Sequence, residues 1–297
     1  MSISIVMSVY NGSDYLKHSI KSILNQSFND FEFLIMDDGS EDETLEIIME
    51  FAKKDPRIKF FSKKNRGLTK SLNFLIKQSK NHYIARMDAD DISHKDRLKN
   101  QYYFLKKNSN YSLVGSNANL MLSQGNILKK TNLFTSNFFI KKRLKIYNTF
   151  IHSSVMFRKN KFLEVNGYDE SFPVSQDYDL WLKMSKLKES KFLNLRESQI
   201  SLRLHRDSIS EKNKNLQNLC AAFSIYRSKK NLNLDFNQKN LEEDIEDKKL
   251  FIKIKLRILF IQKDLQEFKK TIRSHFSLES KLLFLILYFY MKFLSKK

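Results

Sequence analysis

The stretch Tyr83-Ile84-Ala85-Arg86-Met87-Asp88-Ala89-Asp90-Asp91 decides the fold. Its first five residues are largely apolar and read as a buried strand. The next four hold three carboxylates. In a parallel sheet, ligands bind outside the carboxyl ends of the strands, so an acidic cluster there is informative when other strands end in polar groups too. Two do: residues 3–9 stop at Tyr10-Asn11-Gly12, and residues 31–36 stop at Asp37-Asp38-Gly39-Ser40. Residues 58–61 supply one further strand. Between these strands, apolar residues recur at helical spacing: Leu16, Ile20, Ile23; Leu45, Ile48, Met49, Ala52; Leu68, Leu72, Leu75, Ile76. Leu98, Tyr102 and Leu105 mark a fourth helix. The alternation predicts an α/β protein whose parallel sheet is covered on both faces. Ser40 with Glu43 predicts a capping box at the start of the second helix.

Beyond residue 110 the pattern changes. Residues 111–117 and 127–131 read as strands around a Gln124-Gly125-Asn126 turn, and 153–158 as another. Residues 176–187 read as a helix bearing Leu180, Met184 and Leu187, with Trp181 spaced as a core residue. Residues 192–195 and 200–205 read as two closing strands. From about residue 211 the chain is helical and lysine-rich.

Composition narrows the class. The 297 residues are 41% hydrophobic and 29% charged, with two prolines, which excludes a disordered or collagen-like chain. One cysteine, Cys220, excludes an intrachain disulfide framework and a multi-cysteine zinc site. No stretch reaches the roughly 20 apolar residues of a membrane-spanning helix. No basic region precedes the first apolar run, so a cytoplasmic location is the expectation. The net charge of +20 raises three partners: nucleic acid, an anionic membrane, or an anionic small substrate. No basic face interleaved with aromatics and no known nucleic-acid module is present, so nucleic acid is not expected.

Asp88 and Asp90, two residues apart in a turn, repel each other unless a cation intervenes. A hard divalent ion such as Mg²⁺ or Mn²⁺ takes such oxygen ligands and bridges to phosphate. The alternative is a solvated acidic turn. Asp38 at a strand end can accept hydrogen bonds from a base or ribose. Asp177 is either a positioned base or an acid favoured in the first turn of a helix by the dipole.

Taken in order, the motifs resemble glycosyltransferase family 2. The resemblance runs through Met7-Ser8-Val9-Tyr10-Asn11-Gly12, Ser22-Ile23-Leu24-Asn25-Gln26-Ser27-Phe28, Asp37-Asp38-Gly39-Ser40 and Asn65-Arg66-Gly67-Leu68. It continues through Asp88-Ala89-Asp90-Asp91, Asp96-Arg97-Leu98, Gly167-Tyr168, Gln176-Asp177-Tyr178-Asp179-Leu180-Trp181 and Arg203-Leu204-His205. It covers roughly residues 1–210 and implies a GT-A fold: a Rossmann-like nucleotide-binding sheet followed by an acceptor-binding half. It also implies metal-dependent, inverting sugar transfer from a nucleotide-diphosphate sugar, a UDP-sugar first. Carried over by position, Ser8, Tyr10, Asp38, Arg66 and Asp88 would bind the nucleotide sugar. Asp90 and His205 would hold Mn²⁺ or Mg²⁺, His205 having a structural histidine as its alternative reading, and Asp177 would be the catalytic base. Gln176 stands where the family often has Glu, so that neighbouring charge is missing. The acceptor implied is a saccharide or lipid-linked saccharide of a bacterial surface polysaccharide, lipopolysaccharide or capsule.

A sugar-1-phosphate nucleotidyltransferase is the competing enzyme class. It would want a glycine-rich basic loop after the first strand, where Asn11-Gly12-Ser13-Asp14 has one glycine and an acid. The expected organisation is a catalytic domain at 1–210 and a basic helical region at 211–297. Within the latter, residues 282–291, LLFLILYFYM, lie between Lys281 and Lys292. About 15 Å of helix is too short to span a bilayer. The segment is expected either to attach peripherally to the inner face of the cytoplasmic membrane or to pack on protein.

Overall fold

The structure, a computed structural model, describes residues 2–205, 213–238, 241, 245–261, 267, 268, 270 and 271. Residues 282–291 lie outside them. Strands β1 (Ile3–Val9), β2 (Phe31–Asp37), β3 (Ile58–Ser62) and β4 (Tyr83–Arg86) alternate with helices α1 (Ser13–Leu24), α2 (Thr44–Lys54) and α3 (Leu68–Gln78). They form the parallel part of a nine-stranded sheet, in the order β3-β2-β1-β4. Side chains alternate across it as strand geometry requires. Ile3, Ile5 and Met7 of β1 and Phe33 and Ile35 of β2 pack with Leu16, Ile20 and Leu98 on one face. Val6, Leu34 and Met36 pack with Leu72, Leu75 and Ile76 on the other.

After β4 come β5 (Ile92–Ser93), α4 (Arg97–Lys107), β6 (Tyr111–Leu122), β7 (Ile127–Lys130), α5 (Asn137–Leu144), β8 (Met156–Arg158), α6 (Lys159–Glu164), α7 (Gln176–Ser185) and β9 (Lys191–Leu204). The sheet continues β4-β8-β6-β9-β5, with β7 on β6. β8 runs antiparallel to β4 and β6, and β9 parallel to β6. The short β5 pairs with β9, so the acidic turn after β4 strides from mid-sheet to the strand that closes it. Helices α8 (Lys214–Lys230) and α9 (Lys248–Ile261) follow. Cys220, Phe223 and Tyr226 of α8 share one core with Trp181 of α7 and with α3. Among the described residues, no helix is long and apolar enough to cross a membrane.

Three local expectations are corrected. The capping box is absent: α2 starts at Thr44, and neither Ser40 nor Glu43 caps it by a side chain. Ser40 Oγ instead accepts from the Asn11 amide (2.9 Å) and Thr44 Oγ1 from the Gly12 amide (2.9 Å), stitching two loops at the sheet rim. The two closing strands are one, because β6 pairs along both. A bulge absorbs Arg196 and Glu197: Ser116 pairs with Leu195, and the next residue, Asn117, pairs with Ser198. Finally, 153–158 is a strand only from Met156, since His152–Ser154 forms a 3-10 turn.

Candidate active site

Asp88, Asp90 and Asp91 form the turn leaving β4. Their ligand oxygens lie within 4.8 Å of one another. Asp88 and Asp90 are about one-third exposed, whereas Asp91 is buried. Burial raises the Asp88 carboxyl above the ordinary range, opposed by the charge of Arg86. Asp91 is pushed well above it, by burial first and then by the negative charges of Asp90 and Asp88. Arg86, itself buried on β4, forms an ion pair with Asp88. Arg203 of β9 fixes the turn's shape. Its amide donates to Asp91 Oδ1 (2.9 Å) and its Nε to the Asp90 carbonyl (2.9 Å). His205 Nε2 lies 2.9 Å from Asp90 Oδ2.

The turn fits a hard cation. It offers converging carboxylate oxygens, and Asp91 Oδ2 is buried with no hydrogen-bond partner. Concentrated negative charge at close range is relieved by a divalent ion with oxygen ligands.

Asp88, Asp90 and His205 line a cleft of about 690 Å³ together with Asp177. Asp177 is in the first turn of α7, entered through Ser175 in the left-handed region (φ 59°). Asn148 Nδ2 donates to Asp177 Oδ2 at 2.7 Å. Burial raises the Asp177 carboxyl above its ordinary value, and the Asn148 and Tyr178 hydrogen bonds oppose that rise. The result is a held, half-buried carboxylate, more basic than a solvated one. Trp181, fully buried one turn on, packs edge-on against Phe150 and Phe157.

Four of the other expected residues sit elsewhere. Asp38 and Arg66 line a separate recess of about 220 Å³. Both carboxylate oxygens of Asp38 are engaged by the chain: Oδ1 by the Arg66 amide (3.1 Å) and Ser71 Oγ (2.8 Å), Oδ2 by the Gly67 amide (2.9 Å). Gly39 makes this approach feasible: its φ is +81°, and a Cβ there would lie 2.7 Å from the Asn65 nitrogen. Ser8 is half-buried near the end of β1, and Tyr10 beyond it is half-exposed. Neither lines the large cleft.

Sequence reasoning missed Arg86, Asn148 and Arg203. Arg86 had a signal, as a lone cation in an apolar strand just before the acids. Arg203 stood in a quoted motif without a role. Asn148 had none, since its contact is set by the tertiary fold.

Residues 4–166 match the sequence pattern of glycosyl transferase family 2. The chain belongs to that family. It is 33% identical over 225 residues to the O-antigen biosynthesis glycosyltransferase WbnJ of Escherichia coli, covering 75% of this chain and 87% of WbnJ. It is 31% identical over 193 residues to the Escherichia coli chondroitin synthase, covering 65% of this chain but only 28% of the synthase. Among solved structures, S. aureus TarS 1-349 in complex with UDP-GlcNAc matches with a TM-score of 0.60 at 16% identity, over 92% of this chain and 83% of that one. The mannosyltransferase PcManGT from Pyrobaculum calidifontis, in complex with GDP-Man and Mn2+, matches with a TM-score of 0.59 at 11% identity, over 96% and 78%. These two likenesses are of fold alone. The protein is a glycosyltransferase of GT-A fold.

Proposed function

We propose that this glycosyltransferase binds a nucleotide-diphosphate sugar, a UDP-sugar first, against the acidic turn and transfers the sugar with inversion to an acceptor hydroxyl. The observation that carries the reading is the shared cleft, which Asp88, Asp90 and Asp177 line together. Asp177 takes the acceptor O–H proton as the oxygen bonds to the anomeric carbon. The bond from that carbon to the diphosphate oxygen breaks on the opposite face, and the nucleoside diphosphate leaves. Asp90 and His205, with Asp88 and Asp91 in the same cluster, would hold Mn²⁺ or Mg²⁺, which would supply positive charge against the leaving diphosphate. Asn148 keeps the Asp177 carboxylate aimed and ionised. Ser8, Tyr10, Asp38 and Arg66 are assigned to the nucleotide, Asp38 by sharing oxygens it already gives to the chain.

The acceptor is a saccharide or lipid-linked saccharide in bacterial surface polysaccharide synthesis, a reading supported by the likeness to WbnJ. We assign catalysis to residues 1–210. We assign residues 211–297 to a basic C-terminal region that faces the inner side of the cytoplasmic membrane; its apolar segment 282–291 lies outside the described residues. The test is nucleoside diphosphate release with Mn²⁺ across a panel of nucleotide sugars, with and without saccharide acceptors. Acceptor-stimulated, chelator-sensitive release from one donor is expected. Release from none would overturn the reading.

A further inference from the structure

Helix α5 carries apolar surface that nothing in the described chain covers. Phe138 is 67% exposed and Phe139 50% exposed. Their rings meet edge to face at 5.3 Å, and Phe139 stacks on Phe134 at 6.1 Å. Cations sit on the cluster: Lys142 Nζ lies 5.9 Å from the Phe138 ring and the Arg143 guanidinium 5.3 Å from Phe134. The helix beneath is rigidly mounted. Ile140 and Leu144 are fully buried, Lys141 Nζ donates to the Ser185 carbonyl of α7 (2.9 Å), and Asn137 Oδ1 accepts from the Phe192 amide (2.9 Å). The exposed rings are therefore held outward by the fold.

The stretch of chain that carries them is one-sided in charge. Residues 97–163 contain thirteen Lys and Arg and no Asp or Glu. The face continues past α5: Lys145 also lines a groove of about 360 Å³ whose walls carry Ile225 and Ile254, with Lys229, Lys253 and Arg257. Two described acids near that groove are engaged, Asp247 with Lys230 (3.1 Å) and Glu267 with Lys255 (3.2 Å).

We infer that this face, the α5 phenylalanines with Lys142, Arg143, Lys145 and the adjoining groove, docks on an anionic lipid bilayer. Exposed aromatic rings enter the headgroup boundary while flanking cations meet anionic lipid, the pattern of an interfacial helix. A second copy of the chain fits badly, because a two-fold contact would set these cations against their own copies. Nucleic acid fits badly too, since the Phe138 and Phe139 planes stand at 77° and offer no parallel stacking platform. This dock is independent of residues 282–291. It has a consequence for the cleft: Tyr147 and Asn148 follow α5 directly and line it, so docking sets that wall near the bilayer. That consequence rests on the lipid-linked acceptor proposed above; the docking itself does not.

The test is flotation of the full chain with vesicles of phosphatidylcholine alone or with about 30% phosphatidylglycerol. Wild type should float with the anionic vesicles only. F138S/F139S should lose roughly tenfold or more of that binding. K142E/R143E/K145E should lose about fivefold per charge at low salt. Both variants change exposed side chains, so melting temperature and nucleotide release with a soluble acceptor should match wild type. Floating of either variant like wild type overturns the assignment, as does failure of wild type to float. Binding of wild type to a single-stranded oligonucleotide but not to vesicles would make this a nucleic-acid face and overturn it equally.

Discussion

The acidic turn after β4 and the first turn of α7 deliver carboxylates to one cleft, but they are built differently. The turn belongs to the sheet. It leaves a strand buried from Ile84 to Arg86, and β9, through Arg203, closes over it. Asp177 depends on parts outside the sheet. Asn148 reaches it from the segment after α5. Tyr178 OH donates to the Leu144 carbonyl of α5 (2.7 Å). Asp179, two residues on, is tied to Arg227 of α8, which also pairs with Asp169 at 2.7 Å. Arg227 lies beyond the stretch that matches the family pattern. The proposed donor side is thus held by the sheet itself, through β4 and Arg203 of β9, and the proposed base by a clamp running to the C-terminal helices.

The comparison can be broken most sharply at the base. Asp177→Asn should lower turnover by a factor on the order of 10²–10⁴, the range of a positioned base. Steady-state transfer with a competent donor–acceptor pair checks this, and near-normal turnover would reduce Asp177 to a helix-start acid. Next comes the clamp. Arg227→Ala leaves Asp179, 2% exposed, without its guanidinium and with Lys183 Nζ, 3.3 Å away, as its remaining cation. Removing one partner of a buried ion pair costs about 3–5 kcal/mol, and Lys183 holds the loss to the low end of that range. Denaturant unfolding should show that loss, while the folded fraction still binds Mn²⁺ at the acidic turn.

The smallest effect is at Asn148. Asn148→Ala removes a hydrogen bond that favours the ionised Asp177 and should cost roughly tenfold in kcat/KM. The sign in pH is fixed. In the proposed role Asp177 acts deprotonated; its carboxyl is raised by burial, and the Asn148 bond lowers it. The variant's acid limb in kcat/KM should therefore move to higher pH. A pH–rate profile unmoved by the substitution would show that Asn148 does not tune the base.

The same contrast explains what the sequence disclosed. The β1-to-β4 alternation was legible because period-2 and period-3.6 apolar patterns follow from burial on two faces, as at Ile3, Ile5 and Met7 against Val6. The acidic turn was legible because those acids end an apolar strand. The Ser40 capping box misled because the side chain serves Asn11 of another loop, a demand with no local pattern. β9 looked like two strands because Arg196-Glu197-Ser198 breaks the alternation where a bulge sits. Asn148 with Asp177, and Asp179 with Arg227, join residues 29 and 48 apart with no period to announce them.

Asp90 and Asp177, lining one cleft, are assigned different work: one holds the donor through the cation, the other takes the acceptor proton. Calorimetric titration of the donor nucleotide sugar, with and without Mn²⁺, into Asp90→Asn and Asp177→Asn tests that division most directly. Asp177→Asn should bind the donor as wild type does. Asp90→Asn should lose the Mn²⁺-dependent part of binding, by roughly tenfold or more, since even residues behind a metal's ligands typically contribute that much. Equal loss in both variants, or Mn²⁺-dependent binding unchanged in Asp90→Asn, would contradict the account.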